Sequence, residues 1–298
     1  MTGLSKSTVE SLTAVGLDPV AVRRIVVAAL EEDLGGPGGV DVTSVATIPA
    51  GQTGTADLVA RAGGVVSGLA VAEAVFDVAS AGAAAFDALV RDGDRVRRGD
   101  VLATVSGRTR ALLTAERTAL NLLCRMSGVA THTRAWADAL AGTKAMVLDT
   151  RKTTPGLRVL EKYAVRSGGG TNKRMGLYDA AMVKDNHKLA AGGVAAAYRL
   201  VRVAFPDVPV QVEVTTVDEA REAVEAGATF LLCDNMTPDL LSEIVAAVGD
   251  RAELEATGGL TLEVARTYAD SGVDYLSVGA LTHSSPILDI ALDLRTRG

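Results

Sequence analysis

The stretch VQVEVTTVDEAREAVEAGATFLLCD, residues 210–234, contains the pattern that decides the fold. It opens with the apolar run VQVE, which ends at Glu213, and it closes with the apolar run FLLCD, which ends at Asp234. Between the two runs, VDEAREAVEAG at 217–227 has the apolar spacing of an amphipathic helix. The stretch therefore predicts a strand, a helix and a second strand, with an acidic residue at the end of each strand.

The same unit recurs through the second half of the chain. Six short apolar runs end at Asp149, Lys184, Glu213, Asp234, Glu255 and Gly279. Repeated strand–helix units with nearly continuous apolar strands predict a parallel sheet covered by helices. About six strands favour an incomplete β/α barrel over a complete barrel of eight. Because sites in such barrels lie at the carboxyl ends of the strands, we expect the six end residues to face one mouth.

The first 130 residues have a different pattern. Their apolar spacing predicts a helix over 9–34, and a further helix over 70–82 follows two short strand-like runs. A long helix is predicted from Thr109 to about Leu140, in which Gly128 is a candidate break into two helices. This half of the chain therefore mixes helices with short strands and lacks the regular alternation of the second half.

Composition and charge exclude several classes of protein. The 298 residues are 48% apolar and 22% charged, which is typical of a globular protein. A net charge of -6, with only one Trp, five Tyr and four Phe, argues against a nucleic-acid partner. No apolar run has the length of a signal peptide or a membrane span. Cys124 and Cys233 lack zinc-site spacing, so we expect buried thiols in a cytoplasmic protein.

The net charge conceals a basic segment. Between Lys144 and Lys188 there are ten Lys and Arg residues and four Asp and Glu residues, so this segment carries +6 and the rest carries -12. Small residues interrupt the cations in TRKTTPGLR (150–158) and RSGGGTNKR (166–174), which predicts bent loops. Cations gathered at a barrel mouth indicate a small, highly anionic substrate, because low-dielectric walls focus the field there. A solvated run of surface charge is the alternative.

Carboxylates and glycines follow the other strands. Glu213 and Asp234 suit Mg²⁺ bound together with substrate phosphates, and they equally suit ribose hydroxyls or positive charge at a sugar carbon. EATGGL at 255–260 and SVGALTHS at 277–284 place glycines directly after the last two strands. Backbone N–H groups in such loops favour a phosphate, in the position where barrels often bind one.

Several motifs together resemble the quinolinate phosphoribosyltransferase family. They are DTRKTTPGLR (149–158), KDNH (184–187), LCDNM (232–236), EATGG (255–259) and, in the first half, ERTALNLLCRMSGVAT (116–131). The resemblance implies an α/β protein with an amino-terminal open-faced α/β sandwich and an incomplete, about six-stranded parallel β/α barrel. It implies a sandwich domain at 1–128, a barrel domain at 129–287, and a carboxyl-terminal segment at 288–298 that packs on the sandwich.

The resemblance also implies a reaction. Members of the family transfer the phosphoribosyl group of phosphoribosyl pyrophosphate to quinolinate with Mg²⁺. The products are nicotinate mononucleotide, pyrophosphate and CO₂, on the route to NAD. The implied assembly is a homodimer or an oligomer of dimers, in which Arg117 enters the site of the partner subunit. Neither a nucleic acid nor a membrane is an implied partner.

The family motifs assign roles to the residues at the predicted mouth. Arg151 and Arg174, with Arg117 of the partner subunit, would clamp the two quinolinate carboxylates, since a guanidinium pairs with a carboxylate bidentately. Lys152 and Lys184 would face the pyrophosphate and the ring carboxylate. With Glu213 and Asp234, which would hold Mg²⁺ and the ribose, these two lysines form the candidate catalytic set.

The remaining candidate residues surround the phosphate and the acceptor. The 5-phosphate would lie against Thr257, Gly258, Gly259, Val278, Gly279, Ala280 and His283. Thr150 and Lys173 complete the substrate contacts. The family usually has His where this chain has Lys173, which keeps a cation but lacks an imidazole that titrates near neutral pH. His187 in KDNH either orients the strand-end loop or touches substrate.

Three other functions fit parts of the sequence. A paralogue of the same fold, such as the molybdenum-associated pyrophosphorylase-like proteins, would use another acceptor. A Schiff-base aldolase would place its reactive lysine at Lys152 or Lys184. A carrier module would use DGDRVRRGDVLATVSG at 92–107, which resembles the hairpin of lipoyl and biotinyl domains but has no lysine at its tip. We interpret this hairpin as structural.

Overall fold

The structure, a computed structural model, describes residues 3–295 of the chain. Within this range the helices are α1 (Lys6–Ala14), α2 (Pro19–Leu34), α3 (Val42–Thr47), α4 (Leu69–Ser80), α5 (Thr109–Ala139), α6 (Arg158–Ser167), α7 (Asp185–Ala191), α8 (Val194–Ala204), α9 (Val217–Glu225), α10 (Pro238–Val248), α11 (Leu262–Asp270) and α12 (Ala280–His283). The strands are β1 (Thr53–Ala60), β2 (Gly64–Val65), β3 (Ala85–Ala88), β4 (Arg95–Val96), β5 (Val101–Arg108), β6 (Met146–Leu148), β7 (Ala181–Val183), β8 (Val210–Val214), β9 (Phe230–Asp234), β10 (Glu253–Thr257), β11 (Tyr275–Ser277) and β12 (Ile290–Leu294). None of these helices combines the length and apolar character needed to cross a lipid bilayer.

The chain divides into two compact units. Among the described residues, unit 1 contains 3–132, 154–169 and 284–295, and unit 2 contains 133–153 and 170–283. This division differs from the predicted boundaries, because α6 belongs to unit 1 although it lies inside the predicted barrel segment. Polar contacts within unit 1 explain the difference, since Glu161 of α6 accepts a hydrogen bond of 2.8 Å from Arg125 of α5.

Unit 1 is an α/β sandwich. Its four-stranded sheet has the order β12-β1-β5-β3, and all of its pairs are antiparallel. Helix α4 contacts β3 and β5, and α1 and α2 pack against α4. The predicted hairpin at 92–107 is wrong, because its two strands belong to different sheets: β4 pairs with β2, whereas β5 pairs with β1 and β3.

The carboxyl-terminal segment supplies an edge strand to unit 1. Strand β12 pairs with β1, and the Arg295 guanidinium that follows it lies 2.7 Å from the Asp57 carboxylate of β1. Residues 296–298 of the predicted segment 288–298 lie outside the described residues. The first and last strands of the described chain are therefore neighbours in one sheet.

Two helix predictions are wrong. The helix predicted over 9–34 is two helices, because Gly16 adopts a left-handed φ of 74° and Asp18 then caps α2. Conversely, Gly128 does not break α5, which is continuous. A Cβ at Gly128 would overlap the carbonyl oxygen of Pro286 and lie 2.8 Å from the Cα of Ile287. The glycine thus permits the chain at 286–287 to cross the helix at short range.

Unit 2 is built on a six-stranded parallel sheet of order β6-β11-β10-β9-β8-β7. β6 and β7 are the two ends of this order, so the predicted incomplete barrel is confirmed. Val212, Leu231, Leu254 and Leu276 are fully buried. Burying such a side chain contributes roughly 1.5–3 kcal/mol relative to exposure.

Strand alternation and helix caps fix the direction of the site residues. Successive side chains of a strand point to opposite faces, so Glu213 faces away from the buried neighbour Val212. The helices then start directly after the strands. The Thr216 hydroxyl accepts a hydrogen bond of 3.1 Å from the backbone N–H of Glu219, and Thr237 caps α10 in the same way. These caps keep the connections short at the mouth of the barrel.

The close contact at Gly128 predicts a loss of stability on substitution. Alanine has a helix propensity about 1 kcal/mol better than glycine. Gly128→Ala should nevertheless lower the free energy of unfolding by roughly 1–3 kcal/mol, because the methyl group meets backbone that cannot move cheaply. Urea denaturation measures this change. Gly51→Ala is the matched control, since a Cβ there has nothing within 4 Å. Equal or greater stability of Gly128→Ala would contradict the argument.

Candidate active site

The carboxyl ends of the unit 2 strands surround a cavity of about 390 Å³. Eight of the sixteen site residues predicted from the sequence line it. They are Thr150, Arg151, Lys152, Lys173, Arg174, Lys184, Asp234 and Thr257. Met182, Leu232, Glu255 and Ser277 also line the cavity. The structure therefore brings the cations of two loops, 150–152 and 173–174, together with a strand-end carboxylate.

Half of the basic segment lies elsewhere. Lys144 forms an ion pair of 3.0 Å with Asp274, and Lys188 lies 2.8 Å from Asp185 and 3.0 Å from Glu219. Three further cations belong to α6 of unit 1: Arg158, Lys162 and Arg166. The prediction that the whole +6 segment gathers at the mouth is therefore wrong. Five of its ten cations line the cavity.

A buried ion pair forms part of the cavity wall. The Lys173 ammonium lies 2.5 Å from the Glu255 carboxylate, and the two side chains are 7% and 0% exposed. Burial raises the pKa of Glu255 and lowers the pKa of Lys173, because removal from water disfavours both charged forms. The backbone N–H of Lys173 donates to Asp149 at 2.8 Å. Lys173 is thus held at its backbone and at its side chain.

Sequence reasoning gave Glu255 no role. The residue ends the apolar run AELE and begins the motif EATGG, which was the available signal. Nothing in the sequence pairs it with Lys173, which lies 82 positions away. Asp149, also at a strand end, does not line the cavity. It is fully buried, and it also accepts a hydrogen bond of 2.7 Å from the Asn172 side chain.

Two guanidinium groups are near enough for their charges to interact. Arg151 and Arg174 line the same cavity, and Arg174 donates to the carbonyl oxygen of Ala180 at 3.0 Å. Burial and the charge of Arg151 lower the pKa of Arg174. Since each cation disfavours the other, an anion placed between them relieves the repulsion.

Lys184 is paired with Glu213. Its ammonium lies 2.6 Å from Glu213 Oε2, and the carboxylate is buried while the lysine is half exposed. The backbone N–H of Lys184 donates to His187 Nδ1 at 2.9 Å, so His187 caps α7 and orients the loop after β7. A Schiff-base lysine needs a free amine, which the pairing of Lys184 with a carboxylate opposes.

The glycine loops have distinct geometries. Gly258 and Gly259 have φ values of 100° and 57°, which favour glycine. A Cβ at Gly279 would lie 3.0 Å from Lys152 Cδ and 3.3 Å from His283 Nε2. The Val278 N–H donates to the carbonyl oxygen of Leu148 at 2.9 Å, so it is already engaged in the sheet. Its predicted role as a phosphate donor is therefore wrong.

Arg117 is an exposed residue of α5 in unit 1, and it does not line the cavity. A second cavity, of about 650 Å³, shares Arg151, Arg174 and Lys184 with the first. Its other walls are mostly apolar and include Leu177 and Leu200.

The predicted metal ligands also have protein partners. Glu213 faces Lys184, and Asp234 Oδ2 accepts a hydrogen bond of 3.0 Å from the Asn235 amide. Across residues 3–295, no three His, Cys, Asp or Glu side chains are grouped so that they could hold a metal ion by themselves. Two carboxylates remain a suitable oxygen donor set for Mg²⁺ when substrate oxygens and waters supply the other ligands.

The fold and the site together define a class of protein. An incomplete β/α barrel whose mouth gathers five cations, beside loops rich in glycine, is an enzyme scaffold for small polyanionic substrates. The chain belongs to the quinolinate phosphoribosyltransferase family. The model of the family's N-terminal domain matches residues 41–127, and that of its C-terminal domain matches residues 129–293.

Individual relatives agree with this assignment. The nicotinate-nucleotide pyrophosphorylase [carboxylating] of Mycobacterium leprae is 49% identical over 280 residues, covering 92% of this chain and 97% of the relative. The probable enzyme of the same name from Bacillus subtilis is 41% identical over 244 residues, covering 82% and 84%. The crystal structure of NadC from Streptococcus pyogenes superposes with a TM-score of 0.89 at 37% identity, covering 95% and 99% of the two chains.

The buried pair predicts a strong dependence of stability on both partners. Lys173→Met should lower the free energy of unfolding by about 3–5 kcal/mol, because it leaves a buried carboxylate without a counter-charge. The double variant Lys173→Met/Glu255→Leu should lose much less. Burial raises the pKa of Glu255, so the folded single variant binds a proton more readily than the unfolded chain. Its deficit should therefore shrink at low pH and grow as pH rises.

Urea unfolding at several pH values measures both effects. Lys144→Met is the control, because its partner Asp274 is partly exposed and an exposed pair contributes about 1 kcal/mol or less. Equal losses for the Lys173 and Lys144 variants would contradict the buried-pair argument.

Proposed function

We propose that this protein transfers the phosphoribosyl group of phosphoribosyl pyrophosphate to quinolinate, releasing pyrophosphate and CO₂ and forming nicotinate mononucleotide. The observation that carries the proposal is the set of five cations at one cavity, with a carboxylate on the adjacent strand end. Both substrates are small polyanions. The names of the relatives at 49% and 41% identity support the same reaction.

The acceptor would lie against the guanidinium groups. Quinolinate has two adjacent carboxylates, and Arg151 and Arg174 offer two planar forks within one cavity. Binding the dianion would relieve the repulsion between these side chains. Lys152 and Lys184 would add charge on the side of the pyrophosphate and the carboxylate that departs.

The donor would be positioned by carboxylates and loops. As pyrophosphate leaves, positive charge develops at the ribose carbon, and the Asp234 and Glu213 carboxylates would stabilise it electrostatically. The pyridine nitrogen attacks this carbon, and the resulting pyridinium stabilises the carbanion left when the C–CO₂ bond breaks. That carbon then takes a proton from water, which completes nicotinate mononucleotide. No protein nucleophile is needed, so positioning and charge supply the catalysis.

The 5-phosphate would lie between the glycine loops after β10 and β11. Gly258 and Gly259 on one side, and Gly279 with Ala280 on the other, would present backbone N–H groups without an intervening side chain. His283 and Thr257 stand beside them, so a phosphate there has both backbone and side-chain partners within reach.

Mg²⁺ fits this arrangement as a companion of the donor. Asp234 and Glu213 would contact it from the protein side, and the oxygens of phosphoribosyl pyrophosphate would complete its coordination. When bound, Mg²⁺ supplies positive charge that neutralises the departing pyrophosphate.

A second copy of the chain would complete the site. Unit 2 exposes apolar side chains on and beside α7 and α8, and Leu189, Leu200, Val203 and Phe205 are 61–84% exposed. Exposed apolar patches mark interaction surfaces. The larger cavity is continuous with both this face and the two arginines. A partner covering it could insert its Arg117, which is exposed on unit 1.

A cytoplasmic location is consistent with the state of the cysteines. Cys124 and Cys233 are both buried and unlinked. Burial raises the pKa of the Cys233 thiol to about 12, so it is unreactive. Free buried thiols are typical of a reducing compartment.

The direct experiment is a product assay with the purified protein. Quinolinate labelled in its 2-carboxylate should release labelled CO₂ and yield nicotinate mononucleotide only when phosphoribosyl pyrophosphate and Mg²⁺ are both present. Turnover of a different acceptor, with none of quinolinate, would overturn the proposal in favour of a paralogue. Trapping of a substrate on Lys184 by borohydride would overturn it in favour of a Schiff-base enzyme.

Removal of one guanidinium group should weaken the binding of quinolinate more than the binding of phosphoribosyl pyrophosphate. Arg151→Ala should raise the KM for quinolinate at least about tenfold, because a hydrogen bond to a charged group is worth about 1.5 kcal/mol or more. The KM for phosphoribosyl pyrophosphate should change less than about twofold. Lys144→Ala is the control, since it removes a cation of the same segment that pairs with Asp274. Unchanged kinetics of Arg151→Ala would contradict the clamp.

Subunit complementation tests Arg117. At quinolinate concentrations well below the wild-type KM, Arg117→Ala and Arg151→Ala should each retain about a tenth of wild-type activity or less. Co-expressed in equal amounts, they should recover about a quarter of wild-type activity, since half of randomly paired dimers are mixed and each mixed dimer has one intact site. Two differently tagged copies allow the mixed dimer to be purified. An inactive mixed dimer would show that Arg117 does not act across the interface.

A further inference from the structure

Asn235 occupies an unusual backbone position beside the candidate site. Its φ is 54°, in the left-handed region that glycine favours. Among the described residues, Ala81 is the other non-glycine residue with positive φ. Non-glycine residues in this region carry a conformational cost and concentrate at functional sites. The sequence motif LCDNM included Asn235, but none of the predicted roles did.

Three contacts tie Asn235 to the two halves of the donor site. Its side-chain amide donates to Asp234 Oδ2 at 3.0 Å, and its backbone N–H donates to the carbonyl oxygen of Thr257 at 2.9 Å. Its side-chain oxygen lies against Gly258, where a Cβ would overlap it and lie 2.6 Å from its Cγ. Asn235 therefore touches the carboxylate on β9 and the glycine loop after β10.

The left-handed turn is what makes these contacts compatible. The terminal torsion of an Asp side chain is broad, so a donor to one oxygen narrows the orientations that the carboxylate adopts. Asn235 donates to Asp234 from the next position in the chain, while its carbonyl end packs on Gly258. Substitution at Gly258 and loss of the Asn235 amide would each disturb the packing between the end of β9 and the loop after β10.

We propose that Asn235 is a positioning residue for the sugar-phosphate donor. It fixes the orientation of the Asp234 carboxylate relative to the loop at 257–259, so that the ribose and the 5-phosphate are bound in one geometry. Asparagine is then required for its amide, and the left-handed backbone is the cost of placing that amide. This inference rests on the proposed function, because it assigns the donor to Asp234 and the glycine loop.

The test separates the amide from the backbone. Asn235→Gly keeps the left-handed φ at lower cost and removes the amide, whereas Asn235→Ala removes the amide and retains the cost. Both variants should raise the Kd and KM for phosphoribosyl pyrophosphate with Mg²⁺ by about threefold or more. The KM for quinolinate should stay within about twofold. The melting temperature should be unchanged or higher for the glycine variant and lower for the alanine variant.

Ala81→Gly is the matched control. It removes the conformational cost of the left-handed backbone at the end of α4 in unit 1, and it leaves the donor site unchanged. It should leave the kinetic constants unchanged. Wild-type donor affinity in Asn235→Gly would overturn the proposal. A rise in the KM for phosphoribosyl pyrophosphate in Asn235→Gly but not in Asn235→Ala would also overturn the proposal. The cause would then be the flexibility of the loop and not the loss of the amide.

Direct titration of phosphoribosyl pyrophosphate separates this inference from the proposed function. If the wild-type protein binds the donor but does not convert quinolinate, the assigned reaction fails and the variants still report on Asn235. If the wild type converts quinolinate and the Asn235 variants bind the donor normally, the inference on Asn235 fails alone.

Discussion

The constraint on which the site depends is the concentration of like charge at the strand ends. Five cations line one cavity, and each disfavours the others unless anions are near. The protein provides two of these anions itself. Glu255 pairs with Lys173 in a fully buried position, and Glu213 pairs with Lys184 at the rim. Arg151 and Arg174 line the same cavity, where burial and the charge of Arg151 lower the pKa of Arg174. An anionic acceptor bound between the two guanidinium groups would offset their repulsion.

The parallel sheet makes this arrangement possible. Successive side chains of a strand point to opposite faces of the sheet. Glu255 is therefore fully buried on one face of β10, while its apolar neighbours Leu254 and Ala256 are buried on the other. The strand ends are adjacent in space although they are widely separated in sequence. Thr257 pairs with Asp234 across β10 and β9, and Ser277 pairs with Thr257 across β11 and β10. The loops that follow these strands meet at one mouth for the same reason.

Much of this could be predicted from local pattern. The six strands and their parallel order follow from runs such as VQVE and FLLCD with an amphipathic helix between them, because burial on both faces demands near-continuous apolar residues. The cations of 150–152 and 173–174 were correctly placed at the mouth. Three of the predictions that failed did so because the local sequence pattern was ambiguous. Gly128 looks like a helix break in the sequence, but in the structure it lies inside a helix and leaves room for the backbone at 286–287 to pass close by. Gly16 ends one helix before the next begins, although the apolar spacing on both sides of it predicts a single helix. The third concerns the cations of α6, which the sequence places with the barrel and the structure places in unit 1.

The sequence by itself determined the class of fold, the position of the site at the strand ends and the chemistry of its side chains. Each of these depends on residue type and spacing along a single segment. Only the tertiary structure decided which carboxylate faces which cation. It paired Glu255 with Lys173, engaged the N–H of Val278 in the sheet, and set the Asn235 amide against both Asp234 and Gly258. The physical reason is that pairing depends on the distance between segments far apart in the chain, which strand register and loop geometry fix after the sheet has formed.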